Sequence, residues 1–388
     1  MRMSKYQFRR MFRMTHQCFD ELCQTIICSV GESQFKSQHY IDAFLSQTRM
    51  YKANSATCGG FISGEVKLAI TIRMLAGGDS LDLAVIFDVY PTHIHMIFEE
   101  VIEKWIIDSN IGKINISEYL SSKKSMNEVS HGFSKRSNGV LTGVIGAIDG
   151  WLVKIRRPNY FFDGSTNPVP FFSRKGYYAL NVQCIVDDRK RVLWAKFNNK
   201  GASHDSTCFK NSELYNVLKE LRHKFYDEQF YFIGDSAYGI ESFLIPPYDL
   251  ATPNTPQDDF NFFHSSARIT VECAFGEVDL RWGFFWKRLG YSVNKNMMIC
   301  EAAMHLHNFL VTYRDDHDVD YNFEKRVFNN DCSDNGFTAE VIGNDNRRQP
   351  GRPSAEGEAS RTDGMVIRDK FKHLFMEHDM HRPRLDNT

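Results

Sequence analysis

No apolar run in this chain approaches the roughly 20 residues a helix needs to cross a bilayer, so no membrane association is expected. Nor is there a surplus of charge: 47 Lys and Arg face 48 Asp and Glu. A chain that coats nucleic acid through its total charge is excluded, and any hold on phosphate must come from a local patch. Cysteine pairs at metal-binding spacing are missing. The nine cysteines include Cys18, Cys23 and Cys28 at intervals of five, but no C-x-x-C pair. That argues against both a zinc site and a disulfide framework, and free thiols fit a reducing cytosol or nucleus. The start, MRMSKYQFRRMFRM, is basic without an apolar core and does not read as a secretory signal. No internal repeat is visible.

What is present is enough for a full core, divided into one large or two to three small domains. Residues 1–60 read as a mixed segment with a helix around Cys18 to Val30. From Gly64 an apolar stripe at helical spacing (Leu68, Ile72, Leu75, Ala76) begins a helical unit over 61–110. Gly77-Gly78 stops its first helix, Ser80 is placed to cap a second, and Pro91 opens a third that carries Ile94, Ile97, Val101 and Trp105 on one side. Three short helices with a tight turn before the last read as a helix-turn-helix, with an ordinary helical packing unit as the alternative. Thr92, His93 and His95 could reach bases, whereas Glu99, Glu100 and Glu103 would repel phosphate. Residues 110–140 read as polar connection.

The period then changes. Val144 to Ile155 reads as strand, turn, strand, with Asp149-Gly150 as the turn; YYALNVQCIVD and VLWAKF read as strands joined at DDRKR. A helix over SELYNVLKELRHKF, a short strand FYFIG and a proline-broken loop from Pro246 follow. Two helices come next, one with Val271, Phe275 and Val278 on a single face and one over MMICEAAMHLHNFLVTYR. Residues 125–314 thus form an α/β domain, and 315–388 a largely disordered polar tail with a last helix at VIRDKFKHLFMEH.

Acids interrupt this apolar pattern. Asp149 and Asp235 close apolar strands, Asp205 follows a strand in GASHDS, and Glu272 sits in an otherwise apolar helix. Asp149 alone is equally well a turn aspartate. Four such acids have a common explanation in a shared metal, because two carboxylates about 4 Å apart repel by roughly 4 kcal/mol at an effective dielectric near 20. Mg²⁺ or Mn²⁺ takes carboxylate oxygen and leaves positions for phosphate, and a pair of such ions serves phosphodiester chemistry without a protein nucleophile.

GAIDG, GASHDS, GDSAYG and RITVECAFGEVDLRWG occur in that order. Together they resemble the motifs of the PIF/Harbinger-type DDE transposases and their domesticated nuclease relatives, over roughly Gly64 to Tyr313. The resemblance implies a ribonuclease H-like catalytic domain, a mixed sheet flanked by helices, preceded by the small helical unit. It implies a catalytic triad of Asp149, Asp235 and Glu272, with Asp205 as a fourth acid that ligates the metal or supports it. It also implies DNA as substrate (transposon ends and target), a Myb/SANT-like DNA-binding partner protein and assembly as a homo-oligomer on DNA; the expected location is the nucleus, with the cytoplasm open as a second one.

Local charge fits a DNA substrate. From Asp149 to Lys200 there are ten Lys or Arg against four Asp or Glu. Arg156, Arg157, Arg174, Lys175 and Lys200 lie near strand ends, and Arg268, one helical turn before Glu272, could pair with that carboxylate or hold phosphate. His204 reads as structural sooner than as a proton shuttle, and His305 and His307 as packing residues. RRQPGRP at Arg347–Pro353 imperfectly resembles a minor-groove hook. The expected function is a metal-dependent DNA endonuclease or transposase. The alternative is a domesticated DNA- or protein-binding module without catalysis.

Overall fold

The computed structural model describes residues 3–32, 62, 64–109, 111–159, 167–316 and 355–383; the hook-like 347–353 lies outside them. Its centre is a five-stranded mixed sheet of order β3-β2-β1-β4-β5: β1 (Val144–Lys154), β2 (Ala179–Val186), β3 (Val192–Lys200), β4 (Tyr231–Ile233) and β5 (Leu244–Ile245). The first three strands pair antiparallel, and β4 and β5 run parallel to β1. This is an α/β architecture consistent with a ribonuclease H-like nuclease fold. Burial on both faces explains why β2 is apolar almost throughout.

The Asp-Gly hairpin expected inside Val144–Ile155 does not form. β1 is one continuous strand, with Asp149 opposite Cys184 and Gly150 opposite Gln183. Its long pairing with β2 outweighs the turn preference of the dipeptide. Side chains alternate across β1, so Asp149 shares a face with Trp151, which packs on Phe275 and Phe285.

Before the sheet come α1 (Lys5–Phe12), α2 (His16–Glu32), α3 (Gly64–Leu75), α4 (Ser80–Phe87) and α5 (Pro91–Glu100), the last continued by a π-helical stretch, Val101–Ile107. Asp79, not Ser80, caps α4, accepting from the Leu81 N–H at 2.8 Å. The axes of α4 and the α5 segment meet at 99°. Ile94, Ile97, Val101 and Trp105 are buried, as their spacing requires.

Residues 110–140, expected as polar connection, carry α6 (Ile116–Ser121) and α7 (Lys123–Ser134). The buried face of α7 has only Met126, Val129 and Phe133 as large apolar residues, with Ser130 and Ser134 beside them, too sparse a stripe to outweigh its polar majority in the sequence. Beyond β3 lie α8 (Asp205–Lys210), α9 (Glu213–Glu228), α10 (Pro256–Arg281) and α11 (Val293–Asp316). α10 begins inside the expected loop, with Pro256 in its first turn and Thr255 as its cap.

The described part of the tail carries the expected last helix, which begins earlier than the VIRDKFKHLFMEH stretch, at Ala355. α12 (Ala355–Glu377) buries Ile367, Phe371 and Phe375. It packs on α10 and β5, with Phe375 stacked on Phe263 at 4.7 Å. Ser360 accepts the Ser242 N–H at 3.1 Å, and Arg368 lies 4.0 Å over the Tyr248 ring. The sheet edge at β5 is thereby covered. Past the helix, Arg382 pairs with Asp258 at 2.9 Å and its N–H donates to Asp259 at 2.8 Å, tying the chain to the first turn of α10.

Candidate active site

The site grows from the register of β1 and β4. Ala147 lies beside Ile233 on the parallel neighbour. Two residues on, Asp149 and Asp235 stand level, where β4 ends and β1 continues. Asp149 is therefore a mid-strand residue that sits at the end of its neighbour. Gly234 permits the approach: a Cβ there would meet Ile148 Cγ2 at 2.9 Å.

Asp205, at the N-terminus of α8, arrives from the opposite face of β1, in the space Gly150 leaves open. A Cβ on Gly150 would come within 2.2 Å of Asp205 Oδ1. That oxygen accepts from Asn181 Nδ2 at 2.8 Å and Gln183 Nε2 at 2.7 Å. Gln183 also donates to Asn181 Oδ1 at 2.8 Å and accepts from the buried Tyr238 hydroxyl at 2.6 Å. A polar network thus runs under the sheet from GDSAYG to GASHDS. Sequence reasoning missed Asn181 and Gln183; two amide side chains on an otherwise apolar, doubly buried strand were the available signal.

On the other face, α10 supplies Arg268 and Glu272. Arg268 Nη1 lies 3.1 Å from Asp149 Oδ2 and 2.6 Å from Glu272 Oε1. Glu272 is nearly half exposed, while Arg268 and Asp149 are each under a fifth exposed.

Burial pushes the Asp149 carboxyl up to about 7, and Asp235 and, more weakly, Asp205 push the same way against the pull of Arg268. Burial, then Asp205, also raise Asp235, while Arg268 and Arg174 oppose. One guanidinium does not balance the negative charge gathered here.

The donor set suits a hard divalent cation in type: carboxylate oxygens only, with more negative charge than its neighbours neutralise. Asp149, Asp235, Glu272 and Asp205 are the residues that could hold one. As they stand, no three His, Cys, Asp or Glu side chains among the described residues are close enough to enclose an ion; Arg268 occupies the gap between Asp149 and Glu272.

The expected DNA-binding residues divide. Arg174 is near enough to act on Asp235. Arg156 and Arg157 are exposed at the far end of β1. Seven residues of extended chain, roughly 23 Å, separate Arg156 from Asp149, and its N–H is held by Leu289 O at 2.9 Å. Lys175 and Lys200 are exposed. On the helical unit, His95 bonds the Tyr291 hydroxyl at 2.8 Å, while Glu99 and Glu100 are paired with Lys295 and Lys67. His204 heads α8 without a side-chain cap bond. His305 bonds Ile111 O at 2.7 Å and His307 bonds Lys190 O at 2.8 Å, both as packing residues.

Comparison with known proteins bears on the family likeness of the domain that carries these residues. Residues 148–308 match the family model described as DDE superfamily endonuclease. The chain is 23% identical over 339 residues to Protein ALP1-like of Arabidopsis thaliana, an alignment covering 79% of this chain and 71% of that one. No solved structure is significantly similar. The likeness to the DDE/Harbinger-type nuclease family carried by the four motifs is thereby shown.

Proposed function

From a DDE superfamily endonuclease match spanning 148–308, we propose that this chain is a divalent-metal-dependent DNA nuclease of transposase type. It hydrolyses a phosphodiester bond at a transposon end, and the freed 3′-hydroxyl then attacks target DNA. The observation that carries the reading is the level pair Asp149 and Asp235 at the end of β4, with Glu272 on the helix packed over β1. Asp149 and Asp235 are the principal ligands, Glu272 completes the triad, and Asp205 serves as a fourth ligand or as a support held by Asn181 and Gln183. An ion held by these carboxylates, Mg²⁺ or Mn²⁺, would supply charge stabilisation to the attacking and leaving oxygens. The chain's own part is to hold the carboxylates, keep the Asp149 side of the site dry beneath α10, and steer phosphate with Arg174, Arg268 and Lys175. Arg156 and Arg157, at the far end of β1, hold DNA flanking the scissile bond.

In this reading α3–α5 form a helix-turn-helix that contributes little to base recognition, since His95 is engaged by Tyr291. Sequence choice then falls to a Myb/SANT-like partner, and two or more copies act together on DNA in the nucleus.

The test is cleavage or joining of labelled duplex by the purified chain. Activity should need Mg²⁺ or Mn²⁺ and vanish in EDTA. Asp149→Asn, Asp235→Asn and Glu272→Gln should each lower it by about 100-fold or more while retaining fold and DNA binding. Equal cleavage in EDTA would sink the metal reading. The second reading, a domesticated binding module without catalysis, has one observation in its favour: Arg268 is already paired with two triad carboxylates. It requires DNA binding with no cleavage in any divalent metal.

A further inference from the structure

We propose that Arg268 is an exchangeable cation built into the site. It holds Asp149 and Glu272 in the metal-free protein and releases both carboxylates when a divalent ion enters. The inference rests on the metal-dependent reading above and adds a competitor for the ion's place.

Both contacts are made by the same nitrogen. Nη1 of Arg268 lies 2.6 Å from Glu272 and 3.1 Å from Asp149, so a single positive point stands between two triad oxygens. An ion bridging Asp149 and Glu272 needs that space, and cation and guanidinium repel each other strongly at such range. Arg268 also accounts for the gap between donor type and donor geometry. The carboxylates are of the right kind, yet no three enclose an ion, because Glu272 is turned back along its own helix to the residue one turn earlier.

The pair is built to open. Glu272 is 47% exposed, unlike the partner of the Lys190–Glu277 bridge, whose carboxylate is 8% exposed. Arg268 is itself only 18% exposed, but it lies beside the exposed Glu272, and its long side chain can turn toward that opening or an arriving phosphate without unpacking α10, whose buried face is formed by Ala267, Val271 and Ala274.

The experiment is a Mn²⁺ titration of the full chain without DNA, with free ion read by electron paramagnetic resonance. Parent, Arg268→Gln, Arg268→Lys and Asp149→Asn are compared. Arg268→Gln should bind Mn²⁺ on the order of tenfold more tightly than the parent, because a competing charge is gone. Arg268→Lys should stay near the parent, and Asp149→Asn should weaken binding. A second readout needs no variant protein beyond assignment: the Arg268 guanidinium carbon and nitrogen resonances should move to solvent-exposed values when Mg²⁺ is added. Equal or weaker Mn²⁺ binding by Arg268→Gln, or guanidinium resonances unmoved by saturating Mg²⁺, would make Arg268 a fixed support and overturn the inference. Absence of Mn²⁺ binding by the parent and every variant would instead overturn the metal reading, and the inference with it.

Discussion

Gly150 is the smallest residue of the site and among the most constrained. Its missing side chain gives Asp205 and Gln183 their place, since an added Cβ would lie 2.2 Å from Asp205 Oδ1 and 2.6 Å from Gln183 Nε2. Gly150→Ala should cost about 1–3 kcal/mol through overpacking. Because Asp205 is the closer of the two obstacles, the penalty should shrink in an Asp205→Ala background. Chemical denaturation of the two single variants and the double variant measures this coupling; fully additive penalties would refute the contact. The same glycine shows how far local residues were legible. Asp149-Gly150 has the composition of a hairpin turn, and nothing in the dipeptide says that Gly150 lies opposite Gln183, a residue far along the chain on β2. The acids themselves were legible, because a carboxylate inside an apolar run needs a reason wherever the strand goes.

Among the elements, α10 and α11 each bury a histidine that must stay neutral. His264 on α10 bonds Ile245 O at 2.9 Å, and His307 on α11 bonds Lys190 O. Burial pushes both down to about 4. A histidine depressed in the folded state takes up its proton more readily when unfolded. Its contribution is present above pH 6.5 and is lost as pH falls from there toward 4. Each can remove up to about 3 kcal/mol across that window. Carboxyls raised by burial, Asp188 and Asp279 at about 6 and Asp149 at about 7, act with the opposite sign. The histidine share must therefore be read by difference. Urea midpoints at pH 7 and pH 4.5 should fall less for His264→Gln than for the parent. An unchanged pH dependence would mean that His264 binds its proton equally well in the folded and unfolded states. Helix existence was legible here from long apolar spacing. α6 and α7 were not, because short helices with one narrow buried stripe have the composition of connection. β5, two residues long, exists only through its pairing with β4.

At the scale of the whole molecule, the alternation of strand and helix patterns carried the α/β class, and the ordered motifs carried the likeness to the DDE superfamily. The last helix of the tail was legible, but its start at Ala355 and its docking were not, because its few apolar residues acquire meaning only against α10 and β5. That docking has a mechanical consequence. α12 and residues 381–382 grip the N-terminal half of the helix that presents Arg268 and Glu272, and they reach it from beyond residue 354. While the chain is continuous, the grip is intramolecular and its strength does not depend on protein concentration. A single cut between 316 and 355, made at an inserted protease site, would turn it into a bimolecular encounter governed by dilution. The nicked protein should keep its parent melting temperature at high concentration and lose several degrees on dilution, whereas the intact chain should show no such dependence. A nicked protein indifferent to dilution would mean that α12 stays bound too tightly to act as a separable part. α12 is, in these terms, a tethered ligand of α10, and its occupancy is set by the tether.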